Sequence, residues 1–150
     1  MPPSGLDCRF LRKDRDWEQL VALREATDEL PDAPEQRVFR RRKVAEARAL
    51  VRAGHAGWAG AFQEERLVAA LGIVSDGNGL ARYQDVETHP DHRGRGLARR
   101  LLHQAGAYAA VEHRADTLVI VADPGHHAID LYRSIGFADQ EQQVQLVLSA

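Results

Sequence analysis

With 150 residues, 44% of them hydrophobic, the chain has the size of one folded domain and too much apolar content for a disordered tail. Its lone cysteine, Cys8, excludes an internal disulfide, and its longest apolar run, residues 67–74, is far short of the roughly 20 residues a membrane helix needs. A net charge of −2 argues against a dedicated nucleic-acid binder, and the absence of an apolar signal run at the start completes the expectation of a cytoplasmic protein.

Residues 8–11 read as a first strand. Asp14 or Asp16 is placed to cap a helix carrying Trp17, Leu20, Val21 and Leu23, an i, i+3, i+4 spacing, and Pro31 and Pro34 exclude helix across residues 30–34. A second helix is expected over residues 35–53, ending at Gly54. Residues 57–63 and 67–74 read as two strands joined by a tight turn at Glu64, Glu65 and Arg66. The turn cluster over residues 75–79 leads into a third strand, 80–88, which His89-Pro90 ends because proline cannot donate to a ladder.

Residues 96–112 form an amphipathic helix: Leu97, Leu101, Ala105 and Tyr108 share a face, with Leu102 and Ala109 beside it. The apolar run 117–122 predicts a strand covered on both faces, 126–134 a short helix closed by Gly136, and the alternation over 143–149 a final strand. A strand–helix–strand unit over residues 80–122 demands a parallel pair. The expected fold class is α/β (α+β): one domain, 1–150, with a mixed, mostly antiparallel sheet flanked by helices.

The chemistry concentrates where the third strand meets the long helix. Gly94 and Gly96 lie in a loop that opens directly into that helix, and helix N-termini present unpaired N–H groups and a partial positive charge to anions. Glycines without Cβ let a large anion approach the backbone. Arg93, Arg95, Arg99 and Arg100 against Asp91 give residues 91–103 a formal +3, leaving −5 for the rest of the chain. A phosphorylated ligand explains such a patch on an acidic protein. A Walker loop needs a terminal Gly-Lys-Ser/Thr, which is absent; a dinucleotide fingerprint needs a third glycine where Arg99 stands.

Residues 93–98, Arg-Gly-Arg-Gly-Leu-Ala, fit R/Q-x-x-G-x-G/A after a strand ending in x-x-Pro, and residues 128–137 fit A-x-x-L-Y-x-x-x-G-F. The pair resembles the acyl-coenzyme A signature of the GNAT superfamily of N-acetyltransferases, over essentially the whole chain and weakly before Gly57. The resemblance implies acetyl-CoA as co-substrate. Its pyrophosphate would be cradled by Arg93, Gly94, Arg95, Gly96, Leu97 and Ala98, its pantetheine would pair with Glu87, Thr88 and His89, and Tyr132 would lie near the thioester sulfur. Homodimerisation is common in the family, and the terminal strand could serve it. One position departs: the family often has Asn seven residues before the tyrosine, where this chain has Gly125.

Such a reaction transfers acetyl to a primary amine of an acceptor by direct attack. A lysine-like ammonium has a pKa near 10.4, so presenting it neutral at pH 7 costs roughly 4–5 kcal/mol, whereas protonating a thiol of pKa near 8.5 involves only about 2 kcal/mol. A base therefore matters more than an acid. Asp85, Glu87 and His89 alternate along the third strand and share one face; Glu87, directly or through a water, is the first candidate base and His89 the second. Tyr132 is the candidate acid, and a backbone N–H near Thr88 the candidate oxyanion donor.

Plainer readings stand beside these. Tyr132 could plug the core beneath Phe137, Glu87 could be an ion-pair partner, and His89 a turn residue. His89 with His92, or His126 with His127, lack a carboxylate at ligand spacing, so no metal is expected. The basic run Arg37, Arg40, Arg41, Arg42 and Lys43 reads as a solvated helix face, and Trp17, Trp58 and Phe62 as core. The rival functional readings are a non-catalytic acyl-CoA sensor of the same fold, which Gly125 keeps open, and an arginine-based nucleic-acid module, which the acidic remainder disfavours.

Overall fold

A computed structural model describes residues 5–28, 32–121, 132, 133, 136–139 and 145–149. In chain order the elements are β1 (Leu6–Phe10), α1 (Asp14–Thr27), α2 (Pro34–Arg52), β2 (Ala56–Gln63), β3 (Arg66–Ser75), β4 (Leu80–Thr88), a single 3-10 turn (Pro90–His92), α3 (Leu97–Glu112), β5 (Thr117–Val121), β6 (Ala138–Asp139) and β7 (Gln145–Ser149). One sheet carries them in the order β1-β2-β3-β4-β5-β7-β6. Every neighbouring pair is antiparallel except β4 and β5, which run parallel. The expected mixed sheet with one parallel crossover is the one observed.

The meander at its centre is made by turn chemistry. Glu64 and Glu65 both take left-handed φ, +50° and +71°, giving a two-residue hairpin whose twist matches the strands it joins, with Gln63 opposite Arg66. β4 pairs with β5 over Leu80, Ala81 and Arg82 alone, opposite residues 117–119. Among the described residues, that parting leaves one edge of the outer half of β4 without a strand neighbour on the β5 side.

Helices cover both faces. α1 and α2 pack Leu20, Val21, Leu23, Val44 and Ala47 onto one side of the sheet, and α3 packs Leu97, Leu101, Leu102, Ala105 and Ala109 onto the other. In α1 and α3 these are apolar positions expected from helical spacing; Val44 and Ala47 of α2 join them. Trp17, Trp58 and Phe62 are core residues, as expected. The Trp58 indole lies flat over Gly72, where a Cβ would meet three of its ring carbons at 2.3–2.5 Å. Gly72→Ala is expected to cost about 1–3 kcal/mol by overpacking, which thermal unfolding reads as a loss of roughly 2–4 °C per kcal/mol. An unchanged midpoint would mean the indole has room to move.

Several boundaries differ from expectation. Neither Asp14 nor Asp16 is the N-cap of α1; Lys13 is, and Asp16 sits three residues inside and reaches back. Its Oδ2 accepts the backbone N–H groups of Arg12 (2.8 Å) and Lys13 (3.1 Å), and its carboxylate takes a two-pronged bond from Arg9, both prongs at 2.9 Å. Pro34 does not exclude helix but begins α2, since the first helical position has no N–H bond to lose. β5 is not covered throughout: Val119 and Ile120 are buried, but Val121 is 45% exposed. The 3-10 turn and the short β6 carried no sequence signal. Of the expected helix 126–134 only Tyr132 and Arg133 are described, and both are helical; the rest, with Gly125, lies outside the described residues.

Arg9 and the two N–H groups hold the buried Asp16 carboxyl well below its ordinary range, against the opposing effect of burial. A carboxyl more acidic when folded stabilises the fold above its unfolded pKa of about 4, and that stabilisation drains as acid protonates it. Asp16→Asn should therefore cost about 2 kcal/mol at pH 7, the order expected when a buried, charged hydrogen-bond acceptor loses its charge beside a half-exposed arginine. Denaturant titrations of both proteins should show the gap closing as pH falls below 4; a pH-independent gap would rule out the electrostatic cause.

Candidate active site

β4 ends in a chain of local bonds. The His89 N–H donates to the Val68 carbonyl (2.8 Å), the Asp91 N–H donates to His89 Nδ1 (3.1 Å), and Arg93 Nε donates back to the Thr88 carbonyl (3.3 Å). Gly94 and Gly96 then adopt φ of +77° and +75°, a region that side-chain-bearing residues rarely enter. A Cβ on either would meet nothing within 4 Å, so both glycines face open space. Gly96 is the N-cap of α3, whose first intrahelical bond runs from the Arg100 N–H to the Gly96 carbonyl (3.1 Å). The N–H groups of Leu97 and Ala98 precede that bond and have no i−4 acceptor in the helix. Leu97, 5% exposed, roots the loop in the core.

A cavity of about 310 Å³ lies against this loop, bordered by Thr88, His92, Arg93 and Gly94 and by the residues 96–99 that open α3. Six of the ten residues expected to hold the coenzyme thus border one space. Arg95 does not; its Nη1 lies 3.3 Å from His92 Nδ1. Glu87 and His89 do not either, because they face α1 on the other side of the sheet.

A bulge explains that split. Ala70 pairs with Glu87 and Gly72 with Gln84, so Leu71 stands opposite two residues of β4, and the extra residue brings Asp85 to φ +52°. Before the bulge Tyr83 faces α3, donating its hydroxyl to the Leu102 carbonyl at 2.6 Å, and after it Val86 packs against the same cluster. Asp85 and Glu87 consequently both face α1. There Arg24, its side chain only 11% exposed, joins them: Nε donates to Glu87 Oε2 at 3.1 Å and Nη2 to Asp85 Oδ2 at 3.2 Å.

Glu87 is buried enough to have its pKa raised to about 7. Loss of hydration is the largest cause and the Asp85 charge adds to it; Arg24 opposes it without cancelling it. A carboxyl that changes charge near neutrality has the proton affinity a general base needs. It borders a second cavity of about 270 Å³ between α1, α2 and β4, which Thr27, Phe39, Arg40 and Asp85 also line.

Other expectations resolve differently. His89 is a turn residue, with Nδ1 engaged by Asp91 and Nε2 3.4 Å from Arg66 Nη2, and it lines neither of these two cavities. Tyr132 is 6% exposed in the core on the α3 side, edge-on to Phe137 at 6.4 Å, and burial raises its pKa. The basic run of α2 is not one solvated face: Arg40 is 6% exposed, and its Nη2 donates to Asp28 at 3.1 Å. Among the described residues no group of three or more His, Cys, Asp or Glu could hold a metal ion, and no helix is long and apolar enough to cross a membrane.

The sequence reading missed Arg24, Thr27 and Phe39, and placed Arg40 on a solvated face rather than in the cleft. Two had a signal. Arg24 falls on the stripe Trp17, Leu20, Val21, and Arg40 on the stripe Val44, Ala47, so each is a charge where helical spacing calls for an apolar residue.

Residues 17–137 match the sequence pattern of the Acetyltransferase (GNAT) family. The chain belongs to that family. No curated protein matches the sequence. Among solved structures, the PaiA N-acetyltransferase of Thermoplasma acidophilum, crystallised with coenzyme A, superposes with a TM-score of 0.76 at 13% identity, over 97% of this chain and 99% of that one. The ribosomal-protein-S18-alanine N-acetyltransferase of Escherichia coli gives 0.76 at 15% identity, over 96% and 93%. A GNAT acetyltransferase of Brucella melitensis in complex with acetyl-CoA gives 0.68 at 16%, over 96% and 87%. At such identities the likeness is one of fold. In this GNAT domain the glycine loop and Glu87 lie on opposite sides of β4, so the loop cavity and the carboxylate cleft approach one strand from two directions.

Proposed function

We propose that this GNAT acetyltransferase moves the acetyl group of acetyl-CoA to a primary amine by direct attack, with the coenzyme in the loop cavity and the acceptor in the cleft at Glu87. The observation that carries the reading is the pair of left-handed glycines, both open to space at the N-terminus of α3. Backbone N–H groups there suit a pyrophosphate, and a side chain at either glycine would fill the space. Arg93 and Arg99 border the same cavity and add positive charge. The half of β4 that does not pair with β5 offers backbone groups to the amides of the pantetheine arm.

In the transfer the amine lone pair forms the C–N bond at the thioester carbonyl, the oxyanion develops toward a backbone N–H near Thr88, and the C–S bond then breaks. Glu87 takes the proton the amine sheds. Burial keeps Tyr132 protonated, the form that can donate to the departing sulfur.

Calorimetric titration with coenzyme A, followed by an amine panel assayed for thiol release from acetyl-CoA, tests the reading. Binding heat with amine-dependent thiol release is expected. Heat without release from any amine would favour a sensor, and no heat would remove the proposal.

A further inference from the structure

Resting on that reading of Glu87, we propose that Arg24 is the positioning residue of the acceptor cleft: its guanidinium, anchored on α1, bridges Asp85 and Glu87 and holds the Glu87 carboxylate in one orientation in the cleft wall.

The geometry requires a two-pronged cation. Asp85 and Glu87 are brought to one side of β4 by the bulge, two like charges at close quarters with Glu87 14% exposed. A guanidinium can donate to both along one edge, Nε to one and Nη2 to the other; an ammonium is a point charge and cannot span them with the same fork. Arg24 is itself held, since its backbone carbonyl caps the end of α1 by accepting the N–H of Asp28 (2.9 Å) and the hydroxyl of Thr27 (3.3 Å). The other charged side chains lining the cleft are Asp28, Arg40 and Lys43; Arg40 is bonded to Asp28, and Lys43 lies 3.3 Å from Glu46. Arg24 is therefore the cation bonded to Glu87, and the acceptor amine meets a base already oriented by the protein.

The test is a titration of the Glu87 carboxyl by carbon-detected NMR in glutamate-labelled protein, assigned by its loss in Glu87→Gln. The wild-type midpoint is expected at about 7. Arg24→Gln, checked for folding by thermal unfolding, should raise it by one unit or more, the size of shift one adjacent guanidinium produces. Arg24→Lys, which keeps the charge and loses the fork, should fall between. Asp85→Asn should lower the midpoint, because asparagine tolerates the left-handed φ and leaves Arg24 to Glu87 alone. If Arg24→Gln does not fold, Arg24→Lys decides, because Asp85→Asn by itself also removes a like charge that raises the Glu87 midpoint. Midpoints unmoved, or moved the other way, would overturn the role of Arg24. The separate failure, Glu87→Gln with full turnover of an amine, would remove Glu87 as base and leave the titration result standing.

Discussion

Glu87→Gln is expected to lower turnover by a factor of about 10² to 10⁴, the range a positioned general base contributes. The best amine of the panel, assayed by thiol release, supplies the measurement. In the wild-type protein kcat/KM should rise with pH through about 7, because Glu87 must lose its proton before it can accept one from the amine. The variant should lack that limb and keep only the one set by the amine itself, near 8 for an α-amine and above 10 for an alkyl amine. Stability should move in the opposite direction. The folded state holds the Glu87 proton more tightly than the unfolded chain, so the wild type loses stability as pH rises from about 4.5 toward 7. Removing the ionisable group removes that loss, and Glu87→Gln should unfold at an equal or higher temperature at pH 8. A variant less active yet no less stable separates chemistry from folding. Wild-type turnover in the variant, with the limb in place, would exclude Glu87 as the base.

The second large effect concerns the loop. Gly96→Val should weaken coenzyme A binding by about 100-fold, or roughly 2.7 kcal/mol. The left-handed backbone at Gly96 costs a residue with Cβ about 1–2 kcal/mol, and a β-branched side chain would also occupy the open space before α3. Gly77 provides the control. Its φ is +80° and its Cβ position is equally open, but it lies in the turn between β3 and β4 and lines neither cavity. Gly77→Val carries the same backbone strain and should bind coenzyme A normally by calorimetry. Equal losses in the two variants would mean that Gly96 matters only for folding.

Much of this site was legible before the fold was known, and for a local reason. Gly94, Gly96, Pro90 and the apolar spacing of residues 97–109 act through neighbours a few positions away, so the turn, the helix start and the left-handed glycines follow from adjacent residues. The shared face of Asp85, Glu87 and His89 also held, although a bulge lies between them and Tyr83 and changes which face Tyr83 takes. Alternation counted from Tyr83 would have placed Glu87 on the wrong side. His89 takes the turn role that was the plainer of its two readings, and Arg40 departs from the solvated face expected of it, because bonding partners, not residue type, decide such roles.

The sequence by itself determined the order of elements from β1 to β5, the parallel crossover and the glycine turn that opens α3, since short-range sterics and periodicity suffice for each. Only the tertiary structure decided that Glu87 titrates near neutrality. Its proton affinity depends on the water excluded by α1 and α2 and on Arg24, 63 residues away along the chain. Burial and charge pairing are set by distance in space, and no local pattern in the residues around position 87 carries that information.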